Sequence, residues 1–346
     1  MAGNTIQFGD RRIGDGQPCY VVAEIGSNHN NELSLAKESI QAAADAGADA
    51  VKFQTFSAKD HYSKYTPGFS YLDDTNTFDL IESLELNREW HLPLKECADK
   101  HGIAFFSSPC DKSAVDDLER VGVPAHKVAS FDLPDLDLIS YIAKTEKPVI
   151  LSTGMADWAD IARGTAVCRE SGNDQVILLQ CTSLYPAPAR LANLVSMSEM
   201  REKFSALVGY SDHSLGDHLI LAAVALGACL IEKHFTLDRS LEGPDHSFAM
   251  EPEELSEMMA KIRDIEAGMG SGEKGGPRQE EREMYEKGRR SLHASCDIPA
   301  GTVITREMLA VKRPGYGLSP HLTCSVVGQT AKTDILYDQW ITEDMV

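Results

Sequence analysis

Long apolar runs are missing from this 346-residue sequence, and none approaches the roughly 20 residues that a membrane-spanning helix needs. The opening residues, MAGNTIQFGDRRIGDG, lack the basic stretch and apolar segment of a secretory signal. A soluble, cytoplasmic chain without a membrane partner is therefore expected. Paired cysteines are missing too. Cys19, Cys97, Cys110, Cys168, Cys181, Cys229, Cys296 and Cys324 are scattered without any C-x-x-C spacing, which predicts free, mostly buried thiols in a reducing compartment. Basic residues are in deficit, 33 against 53 acidic ones, and the formal charge of −20 repels nucleic acid and anionic membranes. An anionic small substrate would have to meet a local cluster of Lys or Arg inside that acidic surface. Finally, no strand-like run leads into a G-x-G-x-x-G turn, so a dinucleotide-binding sheet has no support.

What is present is a regular alternation. With 42% hydrophobic residues the chain can fill a sizeable core. Eight strand-like runs recur: CYVVAEIG (19–26), ADAVKFQ (48–54), IAFFSS (103–108), HKVAS (126–130), KPVILST (147–153), QVILLQC (175–181), ALVGYS (206–211) and CLIEKHF (229–235). Between them apolar residues return at helical spacing, as in Leu33, Ala36, Ile40, Ala43 and Ala44, or Leu255, Met258, Met259, Ile262 and Ile265. Continuously apolar strands alternating with helices predict a parallel sheet buried on both faces. Eight such units predict an α/β chain whose residues 1–267 form a (β/α)8 TIM barrel, with a doubly wound open sheet as the alternative. The stretch GMGSGEKGGPRQEERE (268–283) turns abruptly to Gly and charge, so 268–288 is expected as a linker. Residues 289–346, with the short runs SLHAS, TVIT, LAVKRP and SVVGQTA, are expected to form a small, mostly β domain.

In such a barrel the chemistry sits at the C-terminal ends of the strands. Those ends are polar almost throughout: Glu24, Asn28 and His29; Lys52 and Gln54; Ser107 and Ser108; Lys127, Ser130 and Asp132; Ser152 and Thr153; Thr182, Ser183 and Tyr185; Ser211, Asp212 and His213; Glu232, Lys233 and His234. If they converge, Lys52 and Lys127 supply the local positive charge an anion needs, the alternative being two salt-bridged structural lysines. His213 and His234, at successive strand ends, could bind one divalent ion, or could simply be hydrogen-bonded imidazoles. His91, His101 and His218 fall on helices and are expected at the surface or rim. Cys181 is the best-placed thiol for nucleophilic chemistry, yet no base stands in its sequence neighbourhood, so a structural role is expected. A Schiff-base aldolase using Lys127 or Lys233, and a non-catalytic sugar-binding protein, are the competing readings.

At these same residues the sequence resembles the sialic acid synthase family, which includes the synthases of N-acetylneuraminic, legionaminic and pseudaminic acids. The resemblance runs in order through AEIGSNHN (23–30), AVKFQ (50–54), FFSSP (105–109), KVAS (127–130), KPVILSTGM (147–155), LLQCTSLYPAP (178–188), GYSDHSLG (209–216), EKHFTLDRSLEGPDHSFAMEP (232–252) and KRPGYGLSP (312–320). The C-terminal domain looks like the family's antifreeze-like SAF domain. The resemblance implies condensation of phosphoenolpyruvate with an N-acylated amino sugar, N-acetylmannosamine or a 2,4-diacetamido-2,4,6-trideoxyhexose, to a nine-carbon 2-keto acid. By similarity, Lys52, Ser108, Lys127, Ser130, Ser183 and Ser211 would hold phosphoenolpyruvate, and His213 and His234 a manganese or magnesium ion. Glu24, Gln54, Tyr185 and Asp245 would face the sugar. Glu24 or Asp132 would handle the attacking water, although the family commonly has Glu where this chain has Asp132. Arg313 would reach the site from the C-terminal domain of the other subunit in a domain-swapped homodimer. KVASF and CTSLYPAP stand closer to the bacterial legionaminate and pseudaminate branches than to the neuraminate pattern.

Overall fold

The computed structural model describes residues 4–68 and 76–346. The chain divides into two compact units, Met1–Gly270 and Ser271–Val346. The first opens with an antiparallel hairpin, β1 (Thr5–Phe8) and β2 (Arg11–Gly14). Eight parallel strands follow: β3 (Tyr20–Gly26), β4 (Ala50–Thr55), β5 (Ala104–Pro109), β6 (His126–Val128), β7 (Val149–Ser152), β8 (Val176–Cys181), β9 (Leu207–Asp212) and β10 (Leu230–His234). They pair in sequence order, and β10 returns to β3 to close the barrel. Each of the eight predicted runs is one of these strands. The open-sheet alternative is excluded by the β10–β3 ladder.

Apolar strands and amphipathic helices account for this closure. Every residue of β3, β7, β9 and β10 is buried, as parallel strands covered on both faces require. The helix Leu33–Asp45 buries Ala36, Ile40 and Ala43, and the helix Pro252–Met269 buries Leu255, Met258, Met259 and Ile262, the faces expected from their spacing. The hairpin was not foreseen. Its strands are four residues long and largely polar outside Ile6, Phe8 and Ile13, too short for a periodicity to register. Phe8 packs on Tyr20, the first residue of β3, and edge-on against Phe106, with ring centroids 4.8 and 5.5 Å apart.

The second unit has its own core of Leu292, Ala294, Ile298, Ile304, Val326, Ala331, Ile335 and Ile341. Two strands, β11 (Ser291–Ala294) and β12 (Leu309–Lys312), pair antiparallel, and isolated bridges such as Val303 to Thr330 extend the pairing. Two of the expected β runs behave otherwise. TVIT contributes only that bridge, and SVVGQTA begins inside the short helix Thr323–Val326. The stretch expected as a linker is helical at both ends, because the helix Pro252–Met269 enters it and a second helix covers Arg282–Gly288. In that second helix, pairs four residues apart, Arg282 with Glu286 and Lys287 with Glu283, offset its lack of an apolar face.

Candidate active site

The register of the barrel brings the predicted strand-end groups together. Glu24 lies beside Lys52 on the β3–β4 ladder, and Ser211 beside Glu232 on the β9–β10 ladder. At the rim of β3 the pairing steps from Glu24–Lys52 to Gly26–Phe53, so Ile25 is an extra residue. Such a bulge re-aims the neighbouring side chains, and Gly26 accommodates it at a φ of +54°. Glu24, Lys52, Gln54, Ser108, Lys127, Ser130, Asp132, Tyr185, Ser211, His213, His234 and Asp245 all line one cavity of about 190 Å³. Ser183 is not part of that lining. It stands with Ser130 around Gly154, whose backbone N–H donates to Ser130 Oγ at 2.9 Å. Arg313 lies in the second unit and is exposed.

The floor of the cavity is an ionic cluster. Glu232 accepts from Ser211 Oγ at 2.9 Å and stands 3.3 Å from Lys127 Nζ and 3.8 Å from Lys52 Nζ. Lys52 also lies 2.8 Å from Glu24 and donates to Ser108 Oγ at 3.2 Å, while Gln54 donates to Glu24 at 2.8 Å. All four charged side chains are buried. Burial works against charge on each, so the neighbours decide the outcome. Burial raises Glu232, but Lys127 and Lys52 outweigh it and hold the carboxyl down at about 2. Burial dominates for Glu24, whose pKa is raised despite Lys52. It dominates for Lys127 as well, lowering its pKa against the pull of Glu232, whereas Glu232 and Glu24 together raise that of Lys52. In the sequence Glu232 is only one polar residue among many at a strand end. Its task is visible only when two lysines from other strands close on it.

Lys233 is the other strand-end lysine, and it is spoken for. Asp212, which also accepts from Tyr210 and from the Ser214 N–H, holds it at 2.7 Å in a fully buried pair. That leaves Lys233 no free amine for a Schiff base. His91 corrects a second expectation: it is 1% exposed and hydrogen-bonds Thr55 Oγ1 at 3.0 Å beneath the barrel wall. A polar helix sequence around it gave no sign that its first residue faces inward.

His213 and His234 come together with ring centroids 5.3 Å apart, and Tyr185 packs on His213 at 4.3 Å. His213 Nδ1 lies 2.8 Å from the Thr182 carbonyl, which can only accept. Nδ1 therefore carries a proton, which leaves Nε2 as the nitrogen a metal would take. His234 Nδ1 is buried with no hydrogen-bond partner, Asp245 being 3.6 Å away. Burial, then His213 and the lysines, keeps His234 neutral by lowering its pKa. His213 differs: burial works against its charge, but Cys181 and the Thr182 carbonyl outweigh it and raise its pKa, so a divalent cation would displace a proton there and meet a neutral imidazole at His234. Cys181 Sγ lies 3.9 Å from His213 Nδ1, a proximity the sequence could not reveal, but that nitrogen is committed to Thr182 and is no general base for the thiol.

A closed parallel barrel with this cluster at its C-terminal mouth defines a (β/α)8 enzyme. The NeuB family matches residues 39–274, and the SAF domain matches residues 289–346. The N,N'-diacetyllegionaminic acid synthase of Campylobacter jejuni is 40% identical, covering 93% of this chain and 98% of its own. The pseudaminic acid synthase of Helicobacter pylori is 38% identical, covering 91% and 94%. An N-acetylneuraminic acid synthetase of Leptospira borgpetersenii, solved in complex with citrate, superposes with a TM-score of 0.74 at 34% identity, covering 82% of this chain and 96% of that one. The chain belongs to the NeuB family and is an enzyme of the sialic acid synthase type.

Proposed function

We propose that this enzyme condenses phosphoenolpyruvate with a 2,4-diacetamido-2,4,6-trideoxyhexose, giving a nine-carbon 2-keto sugar acid and phosphate. N-acetylmannosamine is the second substrate to test. The observation that carries the reading is the convergence of Lys52 and Lys127 on one buried carboxylate, Glu232, beside the His213–His234 pair. An acidic protein that buries two lysines at one cavity is equipped to receive an anion there. Relatives named as legionaminic and pseudaminic acid synthases support the sugar class.

In this reading Lys52 and Lys127 bind the phosphate and carboxylate of phosphoenolpyruvate, with Ser108, Ser130, Ser183 and Ser211 donating hydrogen bonds. Ser183 Oγ, buried without a partner, has a donor to offer. His213 and His234 would hold a manganese or magnesium ion, whose chemistry when bound is Lewis-acid polarisation of the sugar carbonyl. The enol electron pair of phosphoenolpyruvate forms the new C–C bond to the aldehyde carbon, whose oxygen takes up a proton. Water then adds at C2, and the C2–O bond to phosphate breaks to leave the ketone. Glu24 and Asp132, both with pKa raised by burial, are suited to take the proton of that water near neutral pH. Gln54, Tyr185 and Asp245 face the sugar.

Phosphate release, measured with phosphoenolpyruvate and a panel of acylated amino sugars, tests the reaction. Turnover is expected with the trideoxyhexoses, is expected to stop with a chelator, and is expected to return with manganese. Release with none of the sugars overturns the reading. Covalent trapping of Lys127 with pyruvate and borohydride would instead favour the aldolase. We further propose that the active species is a homodimer in which the exposed Arg313 completes the partner's site.

A further inference from the structure

Three residues of the cavity rim, outside the His213–His234 pair, bring together three kinds of metal ligand. His61 ends the short helix Ala58–His61, Cys110 follows β5, and Asp132 lies in the loop after β6. All three line the cavity, and one ligand atom from each lies within 4.8 Å of the other two. His61 Nε2 is 3.4 Å from Asp132 Oδ1, and Cys110 Sγ is 3.6 Å from Asp132 Oδ2. Ligands around a small tetrahedral ion, with bonds of about 2.0 to 2.3 Å, stand about 3.3 to 3.6 Å apart.

We propose that His61, Cys110 and Asp132 form a second metal site, selective for a zinc-class ion and open toward the cavity at its fourth position. The thiolate decides the selectivity. A site of one sulfur, one imidazole and one carboxylate suits zinc or cobalt, whereas magnesium prefers oxygen ligands. The placement points the same way: the Asp132 carboxylate stands between the other two, Oδ1 toward His61 and Oδ2 toward Cys110, so one small cation would meet all three. Binding would expel the thiol proton and claim the carboxylate of Asp132. On the proposed condensation, zinc at this site would therefore inhibit by removing Asp132 from the water, a consequence that rests on that reading.

Cobalt titration of the full chain without substrates tests the site independently of turnover. A thiolate-to-cobalt absorption band in the near ultraviolet is expected, saturating at one thiolate-bound cobalt per chain and displaced by zinc. Cys110→Ser should abolish it, Cys181→Ser should keep it, and His61→Gln should weaken cobalt binding by at least about tenfold. Thermal melting checks that each variant folds, and His61→Gln carries the test if Cys110→Ser does not. Absence of the band in the wild-type chain, or its persistence in Cys110→Ser, would overturn the proposal and leave a hydrogen-bonded cluster. Because no substrate is present, that failure leaves the condensation reading untouched, and a failed sugar panel leaves the metal site untouched.

Discussion

Glu232 illustrates how one side chain sets the state of two others. Its carboxylate is the shared counter-ion of Lys52 and Lys127, and burial already lowers the Lys127 pKa. An opposite charge at this range favours the cationic lysine by about one to three pKa units. Glu232→Gln removes it, so Lys127 loses its proton at lower pH. The alkaline limb of kcat/KM for phosphoenolpyruvate is expected to move down by about one unit or more. A limb that stays in place would mean that neither lysine depends on Glu232. Buried histidines act at the same scale on stability. His29 and His91 are held near a pKa of about 4 by burial, below the ordinary 6.5. The unfolded chain therefore binds more protons than the folded one between these values. Stability present above pH 6.5 is lost as pH falls toward 4, by about 1.4 kcal/mol per unit for each group. Urea unfolding at pH 7 and pH 5 should show this loss, and His91→Gln should reduce it.

Two glycines separate the demands of an element from those of the site. Gly209 lies inside β9, where an added Cβ would meet the Leu230 carbonyl oxygen at 2.2 Å. That oxygen belongs to the β10 ladder and cannot turn aside, so Gly209→Ala is expected to cost at least about 1 to 3 kcal/mol of stability. Gly154 follows β7, and its added Cβ would meet Ser183 Oγ at 2.3 Å and Ser130 Oγ at 2.8 Å. These hydroxyls can rotate away. Gly154→Ala is therefore expected to leave the melting temperature nearly unchanged and to raise KM for phosphoenolpyruvate about 10- to 100-fold, the worth of one hydrogen bond to an anion. Equal KM in the mutant would separate Ser130 and Ser183 from phosphoenolpyruvate. The eight strands and the two long helices were legible because long, regular apolar patterns report burial directly. The N-terminal hairpin, the helix Arg282–Gly288 and the inward His91 were not, since short or polar segments owe their conformation to neighbours distant in sequence.

At the scale of the whole molecule, the proposed homodimer predicts that each C-terminal unit completes the site of the partner's barrel. That unit has its own small core and an exposed Arg313. If Lys127→Ala and Arg313→Ala are each inactive, co-refolded mixtures should recover about a quarter of wild-type activity under domain exchange. Roughly half the dimers are then mixed, and each has one intact site. Mixed dimers that form without recovering activity would exclude exchange.

The sequence by itself determined the barrel, the position of each of its eight strands and the polar set at their ends. Strand periodicity and composition are local properties, so the chain states them residue by residue. It also carried the family resemblance, through motifs spread over nearly the full length. Only the tertiary structure decided which of those polar residues act on one another. Lys233 is neutralised by Asp212 while Lys52 and Lys127 share Glu232, although all of them end apolar strands. Cys110 and His61 gained meaning only by meeting Asp132 from separate elements. The physical reason is that charge, desolvation and metal ligation depend on distances of a few ångströms between residues far apart in the chain. Those distances are set by barrel closure and register, which local sequence does not contain.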